Sequence, residues 1–228
     1  MCMWGICTQE FKSLFRTWKS ISVIILFLLV SFLSGKFFSS NEALFINNNE
    51  DIPIFVSSIR AIVLFFGVLF VMALSHDCMN KEIEYQTIRL LVTKCARFEI
   101  VFGKFFGILF FWIVCLFISF CIVCFFARQF YILEFVKLLS FLSYVIAVAI
   151  LLSTFVNRPS YTMFLGVVIG LLFPIIGVWS LFDYKISMLK YVFPYYYIVE
   201  GSWYTIVPLL YSFLFISITI LRLRGRDL

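Results

Sequence analysis

Charge is what this chain has least of. Only 13% of its residues are Asp, Glu, Lys or Arg, against roughly a quarter in soluble domains, so a chain kept in solution by a charged surface is excluded. Histidine is nearly absent. His76 is single, with Asn80 one helical turn on; without a second imidazole or a Cys/His cluster it offers too few ligands for zinc, and no metal is expected. No Gly-x-x-x-x-Gly-Lys-Ser/Thr occurs, since Gly103-Lys104 runs into Phe105 with no glycine loop upstream. The chain therefore carries no Walker loop, and no cofactor of its own is expected. Glu-Glu and Asp-rich motifs of the kind used by intramembrane peptidases and prenyltransferases are missing too, which leaves no catalytic cluster and no enzyme reading.

What is present is apolar. Hydrophobic residues make up 64% of the chain, and the mean hydropathy is +1.09. A bilayer core needs about 20 mostly apolar residues per helix, and windows of this kind run over Ile21 to Phe38, Ile59 to Ser75, Phe105 to Ala127, Phe135 to Val156, Tyr161 to Phe182 and Tyr204 to Leu221. The expected fold is an all-α integral membrane protein with six transmembrane helices, a single transmembrane domain over residues 1–228. No segment between the windows reaches the roughly 50 residues of a soluble domain. The first window outruns a secretory core, and "FLSGKFFSS" makes a poor cleavage site, so a retained helix is expected. No acid, base or histidine lies near the middle of any window. Ion-coupled transporters place such groups there, so the energy for any transport is expected to arrive through one face.

That face follows from the bases. With the amino terminus inside, the inner segments hold Lys12, Arg16, Lys19, Lys81, Arg89, Lys94, Arg97, Lys104, Arg158, Arg222, Arg224 and Arg226, twice the outer set of Lys36, Arg60, Arg128, Lys137, Lys185 and Lys190. Positive charge favours the cytoplasmic side, which puts both termini in the cytoplasm. The net charge of +6 then reflects topology and contact with anionic lipid headgroups, with no call for nucleic acid. None of the seven cysteines lies in an outer loop, so a disulfide framework is not expected. Cys121-x-x-Cys124 lies in an apolar helix with no βαβ context and reads as two small hydrophobes.

Two cytoplasmic segments break the apolar pattern. In the first, Phe11, Leu14, Phe15 and Trp18 follow a helical spacing opposite Lys12, Arg16 and Lys19. This predicts an interfacial helix within residues 1–20, its apolar side in lipid. The second is the island over residues 76–104. There Ile83, Thr87, Leu90 and Leu91 share one stripe and Glu82, Gln86 and Arg89 another, a pattern fit to dock on the membrane bundle while offering charge to a soluble partner.

Glu82-x-Glu84-x-x-Thr87-Ile88-Arg89-Leu90-Leu91, then Arg97, then Gly103-Lys104 leading into an apolar span, resembles the segment between the second and third spans of ABC type-2 permeases. Glu10 before the first span, the aromatic Pro-containing stretch before the sixth and the ending "RLRGRDL" extend the resemblance over most of the chain. It implies a transport subunit rather than an enzyme, pairing with a second permease chain as a homodimer or with a paralogue. Two ATP-binding subunits, carrying ATP and magnesium, would bind beneath. The coupling segment would comprise Glu82, Glu84, Thr87, Arg89, Leu90, Leu91, Arg97 and Lys104. In it Glu82, Glu84 and Arg89 would face the ATPase, while Ile83, Leu90 and Leu91 pack upward. Cargo would be hydrophobic or amphipathic: a peptide (an antimicrobial peptide among them), an antibiotic or a lipid, exported across a bacterial plasma membrane. A membrane immunity or sensor protein of the same fold, without net transport, is the alternative. Gln86 stands where the family commonly has Gly, and Lys94-Cys95-Ala96 where it often has a Pro-containing turn, so the helix is expected to run on there.

Gly166, Gly170 and Pro174 lie at four-residue intervals on the fifth span, and Gly103-x-x-x-Gly107 opens the third; such spacing lets helices approach closely, within one chain or between two. Over residues 184–203, Pro194, Tyr195, Tyr196, Tyr197 and Trp203 suit the headgroup level as an aromatic belt. The resemblance implies instead a re-entrant stretch at the outer mouth.

Overall fold

The computed structural model describes residues 2–40, 54–156, 158–182, 188–200 and 203–225, and of residues 54, 88–90, 182 and 200 the backbone alone. Six described helices are long and apolar enough to cross a membrane, each centred on one of the expected windows. They are α2 (Trp18–Ser40), α3 (Ile54–Ser75), α6 (Arg97–Ala127), α7 (Ile132–Phe155), α8 (Pro159–Phe182) and α10 (Ile206–Arg224). Around them lie α1 (Cys2–Arg16), the short α4 (Asn80–Glu84) and α5 (Thr87–Lys94), and α9 (Pro194–Glu200), flanked by single 3-10 turns at Leu189–Tyr191 and Trp203–Thr205. The described residues contain no strand, as expected where every backbone polar group must be satisfied without water.

Helix ends follow local chemistry. Pro159 and Pro194 open α8 and α9, where a missing N–H costs nothing. Arg128 takes a left-handed conformation, φ 55, as it closes α6. At 31 residues, α6 spans about 46 Å at 1.5 Å per residue, well beyond the roughly 30 Å of hydrocarbon. It is therefore longer than a hydrocarbon core requires, and its amino-terminal end, through Lys104, binds α1 and α4.

The core is centred on α7. Of its most apolar window 67% is buried, against 22% for α2 and 28% for α8. Phe141, Leu142, Val145, Ile146 and Ile150 of α7 meet Val63 and Val71 of α3 and Phe111, Trp112 and Leu116 of α6 in one apolar cluster. The outward faces of α2 (Ile25, Leu29, Phe32), α8 (Phe164, Leu171, Trp179) and α10 (Leu210, Phe213) stay exposed, consistent with lipid as their solvent.

Three expectations change here. Trp18 does not belong to the interfacial helix: the chain bends at Thr17, Trp18 opens α2, and its ring is 82% exposed. The apolar face of α1 turns into the bundle instead of lipid, with Ile6, Cys7 and Leu14 buried. The cause lies in α6, where a Cβ on Gly103 would come within 2.9 Å of the Met3 carbonyl, and one on Gly107 within 2.8 Å of Glu10 Cβ. Those two glycines form the groove that holds α1. Lastly, the helix between the second and third spans does not run on. It breaks at Gln86, which takes the left-handed conformation (φ 56, ψ 11), and at Cys95, which is extended. Gln86 therefore adopts the backbone shape that favours glycine.

Candidate functional site

The ends of α3 and α7 nearest α9 carry charge that helix-centre reasoning missed. Arg60 on α3 donates to Glu134 Oε2 at 3.4 Å and to the Ile198 carbonyl of α9 at 3.4 Å. Lys137 donates to Glu134 Oε1 at 2.8 Å, an i,i+3 pair on one helix. All three side chains are buried. The signal was available in Glu134-x-x-Lys137, a charged pair at the start of an apolar helix on the same side as Arg60.

Above this cluster α9 folds back onto the bundle. Tyr195 is buried against Phe141 and Phe173, donates to the Leu64 carbonyl at 2.7 Å, and fills the space where a Cβ on Gly177 would collide with its ring. Burial pushes its phenol well above the ordinary range, so the hydroxyl remains a donor. Tyr197 is also buried and donates to the Tyr191 carbonyl at 2.8 Å. Pro194 is buried at the helix start, whereas Tyr196 is half-buried under Lys190, whose Nζ lies 5.0 Å from the ring centroid. Only Trp203, 84% exposed, matches a headgroup-facing ring. Residues 184–187 and 201–202 of this stretch lie outside the described residues.

The opposite end of the bundle joins three chain segments at one lysine. Lys104, on the third turn of α6, is 1% exposed. Its ammonium donates to Glu10 Oε1 of α1 at 2.5 Å and to Glu82 Oε1 of α4 at 2.7 Å. A buried ammonium needs such counter-ions, because an unpaired charge out of water costs several kcal/mol. Glu82 was expected to face outward; the demand of Lys104 turns it inward, and the carboxylate Oε2 is left buried without a partner. Beside the lysine is a cavity of about 400 Å³, lined by Glu10, Asp77, Lys81, Glu82, Tyr85 and Lys104 among others.

The other residues expected in the coupling segment divide by exposure. Glu84, Tyr85, Gln86 and Thr87 form an exposed tip between α4 and α5. Ile83 packs on the main core, and Leu91 on a small cluster of Ile6, Cys95 and Ile100. The side chains of Arg89 and Leu90 lie outside the described residues. Arg97 reaches across to the carboxyl end of α10, donating to the carbonyls of Leu223 at 2.8 Å and Arg224 at 2.7 Å; a cation there also complements the helix dipole. Asn80 is buried and donates to Thr162 of α8 at 2.6 Å, while Ser153 of α7 accepts the Met79 and Asn80 backbone N–H groups. The α4–α5 segment is thus anchored to the amino-terminal helix and to the third, fourth and fifth spans. His76 meets only the Ala73 carbonyl, at 3.2 Å.

Gly166 and Gly170 serve packing within this chain. A Cβ on Gly170 would come within 2.8 Å of Leu69 Cα, and one on Gly166 within 3.3 Å of Met72 Cβ, both on α3. Pro174 is buried one turn further along α8. The glycines that read equally as a chain-to-chain surface are occupied by α3. Sequence spacing also gave no sign that Cys2 of α1 and Cys95 meet: 93 residues apart in the chain, their Cα atoms lie 5.9 Å apart, close enough to be linked where thiols are oxidised. Compartment reasoning from sequence could not see that these two meet.

A family model described as ABC-2 family transporter protein matches residues 4–214, a range that includes α1, every long helix up to the middle of α10 and the Lys104 junction. A comparison with curated proteins finds no match.

Proposed function

The chain belongs to the ABC-2 transporter family, and from that premise we propose that it is the membrane permease subunit of an ATP-driven exporter. The reading is carried by the Lys104 junction. An exposed tip, Glu84 to Thr87, stands on α4; Glu82 of α4 is held to Lys104 of α6; and the same lysine holds α1 through Glu10. A push on the tip from below has a short polar path to two helices that border the membrane. No Walker loop exists in the chain to supply that push, so it is assigned to two separate ATP-binding subunits using ATP and magnesium.

In this mechanism ATP-driven closure of the partner subunits moves the α4–α5 segment as a unit. The segment is anchored at both ends, by Asn80 to α7 and α8 and by Leu91 to α1 and α6. Its displacement therefore reorients α6 relative to α7 and α8. A second permease chain, identical or paralogous, completes the pathway. Both termini face the cytoplasm, and α9 forms the re-entrant outer mouth, held by Arg60 and Tyr195. The cargo is hydrophobic or amphipathic, consistent with spans free of charge at their centres. The setting is a bacterial plasma membrane, and export of an antimicrobial peptide or antibiotic would confer resistance.

Co-purification in mild detergent from the native host, followed by ATPase assay with amphipathic peptides, tests the proposal. An ATP-binding subunit should co-elute with the wild type and be lost from Glu84→Lys/Thr87→Lys. Glu82→Gln should retain the subunit but lose cargo-stimulated hydrolysis. Elution without any ATP-binding subunit would overturn the reading, and a bound ATPase with resistance but no cargo flux would favour the immunity or sensor alternative.

A further inference from the structure

The Lys94-Cys95-Ala96 joint departs from the family pattern, and the departure coincides with a cluster that the transport reading leaves unused. Cys95 ends α5 in an extended conformation, and Cys2 enters from the first turn of α1. Glu99, on the first turn of α6, completes the group. One ligand atom from each of these residues lies within 4.8 Å of the other two. Glu99 Oε2 accepts the Ala96 backbone N–H at 3.1 Å, which fixes its carboxylate beside the two sulfurs, and it pairs with no base among the described residues. Cys95 is buried, whereas Cys2 and Glu99 are half-exposed, so the site has an apolar floor and an open side.

This end of the bundle carries most of the bases and faces the cytoplasm if the positive-inside bias holds. Thiols there stay reduced, and the pair would persist as two cysteines rather than a cross-link. Two thiols and a carboxylate in one place can release two protons and present three negative charges to a cation. Their softness selects a thiophilic ion. We propose that Cys2, Cys95 and Glu99 form a binding site for a thiophilic divalent cation of the zinc class, with water at the fourth position. The ligand atoms of a tetrahedral zinc centre lie about 4 Å apart, and those of Cys2, Cys95 and Glu99 all lie within 4.8 Å of one another. Each thiol gives its proton to solvent as the ion binds, and no oxidant is involved. The bound ion would tie α1 to the α5–α6 joint.

The full chain, purified in detergent with a phosphine reductant, is equilibrated with zinc alone and then desalted. One zinc per chain should remain, and cobalt in its place should give the intense sulfur-to-cobalt charge-transfer band of a thiolate site. Both signals should disappear in Cys2→Ser and Cys95→Ser, weaken in Glu99→Gln, and persist in Cys121→Ser/Cys124→Ser. If the serine variants fail to fold, the cadmium-113 chemical shift of the wild type serves alone, with a two-thiolate value expected. Failure of the reduced wild type to retain zinc would overturn the proposal. So would retention unchanged by loss of both cysteines, or a Cys2–Cys95 disulfide that survives the reductant. The outcome is independent of whether an ATPase partner exists.

Discussion

Lys104 shows how one buried cation organises its surroundings. Its two carboxylates come from segments 94 and 22 residues away, and each is about a quarter exposed, so solvent discounts the pair relative to a fully buried one. Lys104→Met removes the shared partner and leaves two acids facing one another without a cation between them. The melting temperature in detergent should fall by the equivalent of about 2–3 kcal/mol, with Glu82→Gln much milder. Gln86 makes the opposite case. A non-glycine residue at φ 56 is strained by about 1–2 kcal/mol, partly offset in glycine by its greater unfolded entropy. Gln86→Gly should therefore raise stability by about 0.5–1 kcal/mol, measured by thermal unfolding; a lower melting temperature would contradict the assigned backbone conformation.

At the scale of elements, glycine positions decide which helices touch. The α1 helix is seated because Gly103 and Gly107 present bare backbone to it, and Cys7 is buried in that contact, its thiol pKa raised by desolvation. In the wild type, maleimide should label Cys7 slowly at pH 8. Gly107→Leu should lift α1 and speed that labelling at least about tenfold, since both access and thiolate fraction rise. Similarly, Gly170→Val would press on the Leu69 backbone of α3, with destabilisation of about 1–3 kcal/mol expected from overpacking. That loss should appear in the isolated chain in detergent, because the contact is internal.

For the whole molecule, the charge cluster beside α9 is a test of how that helix is held. Glu134 serves two cations, and one of them, Arg60, also reaches the Ile198 carbonyl. Arg60→Leu removes that link while keeping one cation for the acid. The expected outcome is release of α9 with the bundle intact: proteolytic cleavage near Tyr197 becomes faster at unchanged melting temperature. Loss of the whole fold instead would mean that the cluster supports the α3–α7 core.

Length and hydropathy alone determined the six spans, because apolar runs near 20 residues have no alternative state in a bilayer, and their positions in sequence match α2, α3, α6, α7, α8 and α10. The order Glu82, Glu84, Thr87, Arg97, Gly103, Lys104 likewise marked the family. What the linear pattern could not decide is direction. Periodicity assigns a residue to a face but does not say what that face meets, so Glu82 read as outward until Lys104 claimed it, and the apolar side of α1 read as lipid-facing until two glycines of α6 opened a groove. The Cys2–Cys95–Glu99 cluster, and the place of Arg60 beside the readable Glu134-x-x-Lys137 pair, lay beyond sequence reasoning for the same reason: each brings together side chains from separate elements, and only packing sets distances between elements.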